Sequence, residues 1–222
     1  MKFEIEGRAR EISLEAAVIA GYTGRDRKAV DAHIDELAEQ GIAPPATVPA
    51  FFSISPDTLT FAEHIEVLHM ETSGEVEILI VVDNGEAFVG IGSDHTDRRT
   101  ERLDIGVSKQ LCRKPIGHEL WPLETVQDRW DELHLASDIS ISGVRSRYQE
   151  GLAATNISPM ELLEMVPFEV RPKRYVLFTG TIPVMGGIRH ADRFDGSVTD
   201  LAQGRSLRLS YEVLVQNWLD EG

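Results

Sequence analysis

The chain has 222 residues, 42% of them apolar, which is enough for one substantial core. Its formal net charge of −15 argues against nucleic acid or an anionic membrane as a partner, because both are polyanions. The single cysteine, Cys112, cannot form an internal disulfide, and the N-terminus alternates like a strand without the apolar core of a signal peptide. The longest aliphatic runs fall far short of the ~20 residues of a membrane helix, so the composition predicts a cytoplasmic protein.

The N-terminal part of the chain predicts strands around one helix. Residues 2–6 alternate like a strand, and a second short apolar segment ends at Gly21. A helix is predicted from Asp26 to Gln40, with Gly41 as its stop. Its apolar stripe comprises Val30, Ile34, Leu37 and Ala38. Prolines at 44, 45 and 49 then require an extended connection.

The middle of the chain predicts mainly strands. Residues 75–82 form a run rich in β-branched side chains, and residues 88–91 are the next predicted strand. Residues 98–110 are mixed, with apolar side chains alternating in their centre. Residues 121–130 indicate a loosely packed helical segment, and residues 133–142 again alternate like a strand.

The C-terminal part predicts a capped helix and two strands. Ser158, Pro159 and Glu161 form a helix start, and the helix stops before Pro167. Strands are predicted at 174–178 and 207–215, the latter closing the sheet. Many strands with two or three helices between them predict an α+β fold.

Three carboxylates are spaced for a hard-metal site. Glu75 and Glu77 are two residues apart on a predicted strand, so their side chains share a face. Asp94 follows Gly90-Ile91-Gly92, where the chain can turn tightly and approach another group closely. Such a trio would suit Mg²⁺ or Mn²⁺. A solvated strand face is the alternative, although this face continues into apolar residues, where two like charges are costly.

The order of these motifs resembles the fumarylacetoacetate hydrolase superfamily over roughly residues 17–215. Glu75-Val76-Glu77 and Asp94-His95-Thr96-Asp97-Arg98 resemble the Glu-x-Glu strand and the Asp turn that bind Mg²⁺, Mn²⁺ or Ca²⁺ in that family. Ser108-Lys109, the helix start at 158–162 and the strand ending in Thr179-Gly180-Thr181 follow in the family's order. The resemblance implies a mixed β-sheet roll or sandwich like the C-terminal domain of fumarylacetoacetase, with a few flanking helices.

The resemblance also implies roles for individual residues. Glu75, Glu77 and Asp94 would hold the metal, and Lys109 would face the substrate and stabilise an enolate. His33 and Glu36 resemble a His-x-x-Glu pair on a lid helix that activates water, three residues apart on one helix face.

Substrate contacts are implied at four further positions. Tyr22, Arg98, Thr179 and Thr181 would bind the substrate. The alternatives are that Arg98 orients Asp94 and that the threonines satisfy turn backbone groups. A surface position for Lys109 and a packing role for His95 remain open.

The chain departs from the family's pattern around the substrate pocket. Residues 51–56 lack the family's lysine, and Thr179-Gly180-Thr181-Ile182-Pro183 is one residue longer than the usual Thr-Gly-Thr-Pro. Arg98-Arg99-Thr100-Glu101 also differs from the family's turn. The substrate of a known member therefore cannot be transferred to this chain.

The function expected from this resemblance is divalent-metal-dependent cleavage of a C–C bond in a small 1,3-dicarbonyl, acylpyruvate-type or related 2-oxo acid. Decarboxylation or tautomerisation of a 2-oxo acid, and non-enzymatic binding of a small acid, are the alternatives. We expect one catalytic domain over 1–222, with N-terminal strands and a lid helix in 1–60 and a metal-binding β-roll in 61–222. The partners expected are a small carboxylate substrate and a second copy in a homodimer.

Overall fold

The computed structural model describes residues 1–39 and 43–216, without the side chains of His33, Leu37 and Phe168. The strands are β1 (Lys2–Ile5), β2 (Arg8–Glu11), β3 (Ala16–Gly21), β4 (Ala50–Ile54), β5 (Leu59–Thr60), β6 (His64–Val67), β7 (Thr72–Ser73), β8 (Val76–Asp83), β9 (Glu86–Ser93), β10 (Thr96–Asp97), β11 (Lys114–Pro115), β12 (Glu119–Pro122), β13 (His134–Ile141), β14 (Val144–Leu152), β15 (Arg174–Thr181), β16 (Arg193–Asp200) and β17 (Arg205–Val215). The α-helices are α1 (Arg27–Glu39), α2 (Arg98–Glu101), α3 (Ile105–Leu111) and α4 (Pro159–Met165).

The larger sheet is built around the hairpin of β8 and β9. The hairpin turn at Asn84-Gly85 has positive φ at both residues, which matches the twist of the strands. The strand order is β2-β1-β12-β9-β8-β15-β3-β4. β1 runs parallel to β12 and β15 runs parallel to β3, while the other neighbours are antiparallel. The sheet is therefore mixed.

Two hydrophobic cores lie on the two faces of this sheet. Val76, Ile78 and Ile80 of β8 belong to the main core, and Leu79 and Val81 belong to a smaller one. The main core is also lined by a second sheet of five strands, in the order β14-β13-β16-β17-β6. Because β8 is buried on both faces, its sequence is a nearly continuous apolar run.

Most of the elements predicted from sequence are present. The predicted strands that appear are those at 2–6, 75–82, 88–91, 133–142, 174–178 and 207–215. The helix predicted after Ser158 is α4, which has the full capping box. The helix predicted from Asp26 is α1, but its predicted end, Gln40 and Gly41, lies outside the described residues. Of its stripe, Val30 is buried and Ala38 is exposed.

Two predicted segments were wrong. Residues 98–110 form the short helices α2 and α3, each capped by the preceding aspartate, Asp97 or Asp104, whose side chain accepts a main-chain N–H. Residues 121–130 begin in strand β12 and continue in 3-10 turns, so they are not one helical segment.

Two of the longer strands, β14 and β16, were not predicted. The first half of β14 is exposed and charged, and its buried positions begin at Tyr148. In β16 the buried positions alternate but include Gly196 and Asp200 beside Phe194 and Val198, so the apolar signal is weak.

The fold class is α+β, as predicted, with most strands in mixed sheets and few helices. Among the described residues, no helix combines the length and the apolar character needed to cross a bilayer.

Candidate active site

Glu77 is a buried carboxyl group on the face of β8 that lines the smaller core. The pairing of β15 with β8 shifts register between Phe178 and Thr181, and this bulge directs the N–H of Gly180 at Glu77, with 2.9 Å between N and Oε2. Glycine is required at 180 because its φ is +92° and a Cβ would lie 1.9 Å from Thr23 Oγ1. The bulge therefore fixes the position of the Glu77 carboxyl.

Asp94 follows β9 and binds two lysines. Its main-chain N–H donates to the carbonyl of Glu75 at 3.0 Å, which places it beside the start of β8. Lys109 Nζ donates to Oδ2 of Asp94, and Lys114 Nζ lies 2.9 Å from Oδ1. Burial alone would raise the pKa of Asp94, but the two ammonium groups hold it well below its ordinary value. Asp94 is therefore an ionised carboxylate between two buried cations.

The three predicted carboxylates act on one another electrostatically. Burial raises the pKa of Glu77 well above its ordinary value, and the negative charges of Asp94 and Glu75 raise it further. Lys109 and the Gly180 N–H oppose this rise. The acidic trio therefore shares one neighbourhood, and the Lys109 ammonium acts on both Glu77 and Asp94.

Arg98 forms an ion pair with Glu75. Its Nη2 lies 2.9 Å from Glu75 Oε2, its Nη1 lies 2.9 Å from Glu101 Oε2, and its Nε donates to Ser73 Oγ at 2.7 Å. The contact predicted with Asp94 is replaced by this set, so Arg98 orients a different carboxylate from the one expected. Its role toward a substrate carboxylate stays a prediction.

The donor chemistry of the site fits a hard divalent cation, since three carboxylates offer oxygen ligands. As the side chains stand, residues 1–39 and 43–216 contain no group of three or more His, Cys, Asp or Glu side chains that could hold a metal. Protein cations balance the carboxylates, with Lys109 on Asp94 and Arg98 on Glu75. The charge of the Lys109 ammonium also opposes the rise in the pKa of Glu77. The metal-ligand role of the trio stays a prediction.

The two lysines on Asp94 differ in their surroundings. Lys109 lies on α3, its side chain is 10% exposed, and its ammonium lies 5.8 Å from the centre of the Phe52 ring. The side chain of Lys114 on β11 is 0% exposed, and its ammonium also donates to the main-chain carbonyl of His95. Lys109 lies beside Phe52 at the edge of the smaller core, and the substrate contact implied for it stays a prediction. No sequence pattern indicated Lys114.

The predicted water-activating pair lies on α1. The main chain of His33 is helical, but its side chain lies outside the described residues. Glu36 is exposed on the same helix. The pair therefore stays a prediction.

A cavity of about 650 Å³ opens beside the predicted lid. Its lining includes Tyr22, Arg25, Arg27 and Glu161. Burial raises the pKa of Tyr22, the charge of Glu101 raises it further, and the charge of Lys109 opposes the rise. The position of Tyr22 is compatible with its predicted substrate contact, which no observation tests.

The hydroxyl groups of the two candidate threonines bind main-chain carbonyls. Thr179 Oγ1 donates to Ile78 O at 2.9 Å, and Thr181 Oγ1 donates to Val76 O at 2.8 Å. Thr181 Oγ1 also accepts from Gln149 Nε2 at 2.7 Å. Both therefore brace β15 against β8 in this structure, and their substrate contacts stay predictions.

His95 points into the main core. Its Nδ1 lies 3.0 Å from Tyr211 Oη, which in turn lies 2.8 Å from Ser93 Oγ. Burial lowers the pKa of His95 well below its ordinary value, and the charge of Lys114 lowers it further. His95 is therefore a neutral, buried residue, in agreement with the packing role left open above.

Three important residues of the cluster were missed in the sequence: Lys114, Gln149 and Glu101. Lysines and glutamines are usually exposed, and neither residue lies in a periodic pattern or a spacing that connects it to the acidic motifs. Only Glu101 carried a signal, since it is three residues after Arg98 on what proves to be a helix.

Comparisons with known proteins concern the whole fold. A family model described as "Protein of unknown function (DUF2848)" matches residues 20–211. A search of curated proteins finds no match.

Several solved structures are similar. One is a candidate fumarylacetoacetate isomerase/hydrolase from Oleispira antarctica, with a TM-score of 0.71 and 17% identity over 96% of this chain and 100% of the other. Fumarylpyruvate hydrolase from Pseudomonas aeruginosa in complex with Mn²⁺ and pyruvate has a TM-score of 0.63 and 19% identity over 97% and 96%. A 2-keto-3-deoxy-D-arabinonate dehydratase has a TM-score of 0.66 and 17% identity over 94% and 76%. At these identities the likeness concerns the fold, and at that level it confirms the resemblance inferred from the motifs.

Proposed function

We propose that this chain, which belongs to the DUF2848 family of proteins of unknown function and has the fold of fumarylacetoacetate hydrolase-family enzymes, is a divalent-metal-dependent hydrolase. Its substrate is a small 1,3-dicarbonyl, acylpyruvate-type or related 2-oxo acid that is cleaved at a C–C bond. The buried carboxyl groups of Glu77 and Asp94, with the Lys109 ammonium bound to Asp94, carry this proposal. The Mn²⁺ and pyruvate bound to the Pseudomonas hydrolase support the choice of ion and of substrate class.

Glu75, Glu77 and Asp94 would hold Mg²⁺ or Mn²⁺, with Ca²⁺ as a further candidate. When bound, such an ion supplies a Lewis acid that stabilises negative charge on substrate oxygens. The protein prepares the ligands: the Gly180 N–H holds Glu77, and Arg98 holds Glu75.

The remaining steps belong to residues of the chain. His33, oriented by Glu36, takes a proton from water as the water oxygen bonds to the distal carbonyl carbon. The C–C bond then breaks, and its electron pair leaves as an enolate, whose oxygen accepts a hydrogen bond from Lys109. A proton returned to carbon completes the reaction.

Substrate recognition would use the cavity beside Tyr22. Arg25 and Arg27 line this cavity beside Glu161, and each is ion-paired with an aspartate, Asp131 or Asp31. Either arginine would bind a substrate carboxylate by exchanging that partner. Thr179 and Thr181 border the bulge and would donate to the substrate carboxylate after exchanging their main-chain partners, with Arg98 as a charged alternative.

A second candidate is decarboxylation or tautomerisation of a 2-oxo acid by the same cluster. The exposure of Glu36 favours this candidate, because these reactions need the stabilised enolate but no water-activating pair. Non-enzymatic binding of a small acid is the remaining alternative, and it predicts that substrate is bound without turnover.

The proposed activity is tested with a panel of acylpyruvates and other 2-oxo acids, followed by loss of enol absorbance with Mn²⁺ and with EDTA. We expect turnover with Mn²⁺ only, and its loss in Glu77→Gln. Glu119→Gln, which alters an exposed strand glutamate, is the matched control and should retain full activity. Equal turnover in EDTA, or an active Glu77→Gln enzyme, would refute the proposal.

The choice of reaction is tested with His33→Ala. Loss of hydrolysis with retained Mn²⁺ binding supports the hydrolase, because only that reaction needs the base. Unchanged turnover favours decarboxylation or tautomerisation, and the product identified by mass spectrometry separates these two.

For the assembly, we propose a β-roll like the C-terminal domain of fumarylacetoacetase and a homodimer of such rolls. Exposed apolar residues support an interface: Leu103, Val107 and Leu111 follow at four-residue spacing in and before α3. Light scattering should give the dimer mass for the wild type and the monomer mass for Val107→Glu. A monomeric wild type contradicts the homodimer.

A further inference from the structure

We propose that Lys114 stays bound to Asp94 and sets how tightly the site binds a divalent cation. This inference rests on the proposed function, because it concerns the same cation, but it assigns a role to a residue outside the motifs that led to that function.

Lys114 cannot easily leave Asp94. Its side chain is 0% exposed, its ammonium lies 2.9 Å from Asp94 Oδ1, and it also donates to the carbonyl of His95. Its main chain is held in β11, where Lys114 pairs with Leu59 of β5. Moving this ammonium away would leave a buried charge without a partner, which is costly.

Lys109 is placed differently, although it binds the other oxygen of the same carboxylate. Its side chain is 10% exposed and lies on α3, a helix of seven residues whose Val107 and Leu111 are each 48% exposed. Its ammonium is hydrogen-bonded to Asp94, whereas the ammonium of Lys114 also binds the His95 carbonyl. Of the two lysines, Lys109 is the one that a divalent ion can displace.

An ion bound to Asp94 would then share that carboxylate with an ammonium. Lys114 occupies Oδ1, which leaves Oδ2 as the oxygen available to the ion. Repulsion between the ion and the ammonium is only weakly screened because both lie in the protein interior. The expected consequence is a weaker, more easily exchanged metal site than three unpaired carboxylates would form.

A purely structural role for Lys114 predicts the opposite change in metal affinity when Lys114 is replaced. If Lys114 served only to fix Asp94 and the His95 carbonyl, its removal would disorder the ligand and weaken metal binding. If Lys114 opposes the ion, its removal strengthens metal binding. The direction of the change therefore separates the two roles.

The test is Mn²⁺ titration of the full chain, with free Mn²⁺ measured by electron paramagnetic resonance, in the wild type and in Lys114→Met. Methionine keeps the length of the side chain and removes its charge. We expect at least tenfold tighter Mn²⁺ binding in the variant. Arg113→Met, which alters the exposed neighbouring cation, is the matched control and should bind like the wild type.

The outcomes separate this inference from the proposed function. Equal or weaker binding in Lys114→Met, with normal binding in the wild type, overturns the inference and leaves the metal-dependent function standing. Absence of Mn²⁺ binding in both proteins overturns both.

A second measurement uses the wild type alone and does not depend on the folding of a variant. Lysine ammonium signals followed by ¹H–¹⁵N NMR during Mg²⁺ titration should show Lys109 losing its protection from exchange while Lys114 keeps it. Loss of protection at Lys114 would show that it leaves Asp94, and would overturn the inference.

Discussion

Replacement of Gln149 by leucine tests how the two sheets are joined behind the site. Gln149 is fully buried on β14, and its side chain forms four hydrogen bonds. Oε1 accepts from the Val76 N–H at 2.8 Å and from Ser137 Oγ at 2.9 Å. Nε2 donates to Thr181 Oγ1 and to Ile182 O, both at 2.7 Å. One amide therefore connects β13 and β14 to the start of β8 and the end of β15.

The magnitude of the effect follows from the partners that leucine leaves behind. The hydroxyl groups of Ser137 and Thr181 can rotate to other acceptors, but the Val76 N–H and the Ile182 carbonyl cannot. Each buried group without a partner costs about 1–3 kcal/mol, so Gln149→Leu should lower the free energy of unfolding by roughly 2–6 kcal/mol. A typical domain has only about 5–15 kcal/mol in total.

The assay is equilibrium unfolding in urea, followed by tryptophan fluorescence. Gln203→Leu, an identical change in an exposed turn, is the control and should alter stability by no more than about 0.5 kcal/mol. A Gln149→Leu protein within about 1 kcal/mol of the wild type would refute this account of the polar connection.

Three further predictions concern charge and the thiol. Arg98→Lys keeps the positive charge but cannot contact Glu75, Glu101 and Ser73 at once, so we expect a lower Tm and weaker Mn²⁺ binding. Arg99→Lys, which alters an exposed arginine, is the control and should match the wild type. An Arg98→Lys protein with the Tm and Mn²⁺ affinity of the wild type would contradict this prediction. Burial alone would raise the pKa of Asp200, but Arg129 holds it below its usual 3.8. Asp200→Asn should therefore lower the free energy of unfolding at pH 7, and its difference from the wild type should disappear as the pH falls below 3.8. A pH-independent difference in urea titrations would disprove that linkage. Burial raises the pKa of the Cys112 thiol to about 11, so its alkylation at pH 8 should be at least about tenfold slower in the folded than in the urea-unfolded protein, and equal rates would contradict its burial.

The sequence predicted those parts of the fold whose signals are local. The apolar run of β8 and the capping box of α4 each depend on neighbours in the chain, and both appear in the structure. β14 and β16 were missed because burial there comes from pairing with β13, while their own residues are charged or small. Tertiary contacts decided their conformation.

The glycines before Asp94 are another place where tertiary contacts, and not local sequence, decide the conformation. Gly90 and Gly92 were interpreted as a tight turn, but they lie within β9 in extended conformation. They are needed because side chains approach closely: a Cβ on Gly90 would lie 2.8 Å from a methyl group of Leu120, and one on Gly92 would lie 3.0 Å from both methyl groups of Leu79. The predicted close approach was correct, and the predicted turn was wrong.

The candidate site was predictable as far as its motifs extend. Glu77, Asp94 and Lys109 are brought together as the resemblance implied. Lys114 and the pairing of Arg98 with Glu75 could not be inferred, because they depend on which buried charges need partners after folding. That requirement exists only in three dimensions.

The most direct test of the central claim is a crystal structure of the protein soaked with Mn²⁺, examined by anomalous diffraction at the manganese edge. We predict one strong peak bonded to oxygens of Glu75, Glu77 and Asp94, with the Lys109 ammonium moved off Asp94. A fully loaded crystal with no peak there, and with Lys109 still on Asp94, would contradict the account.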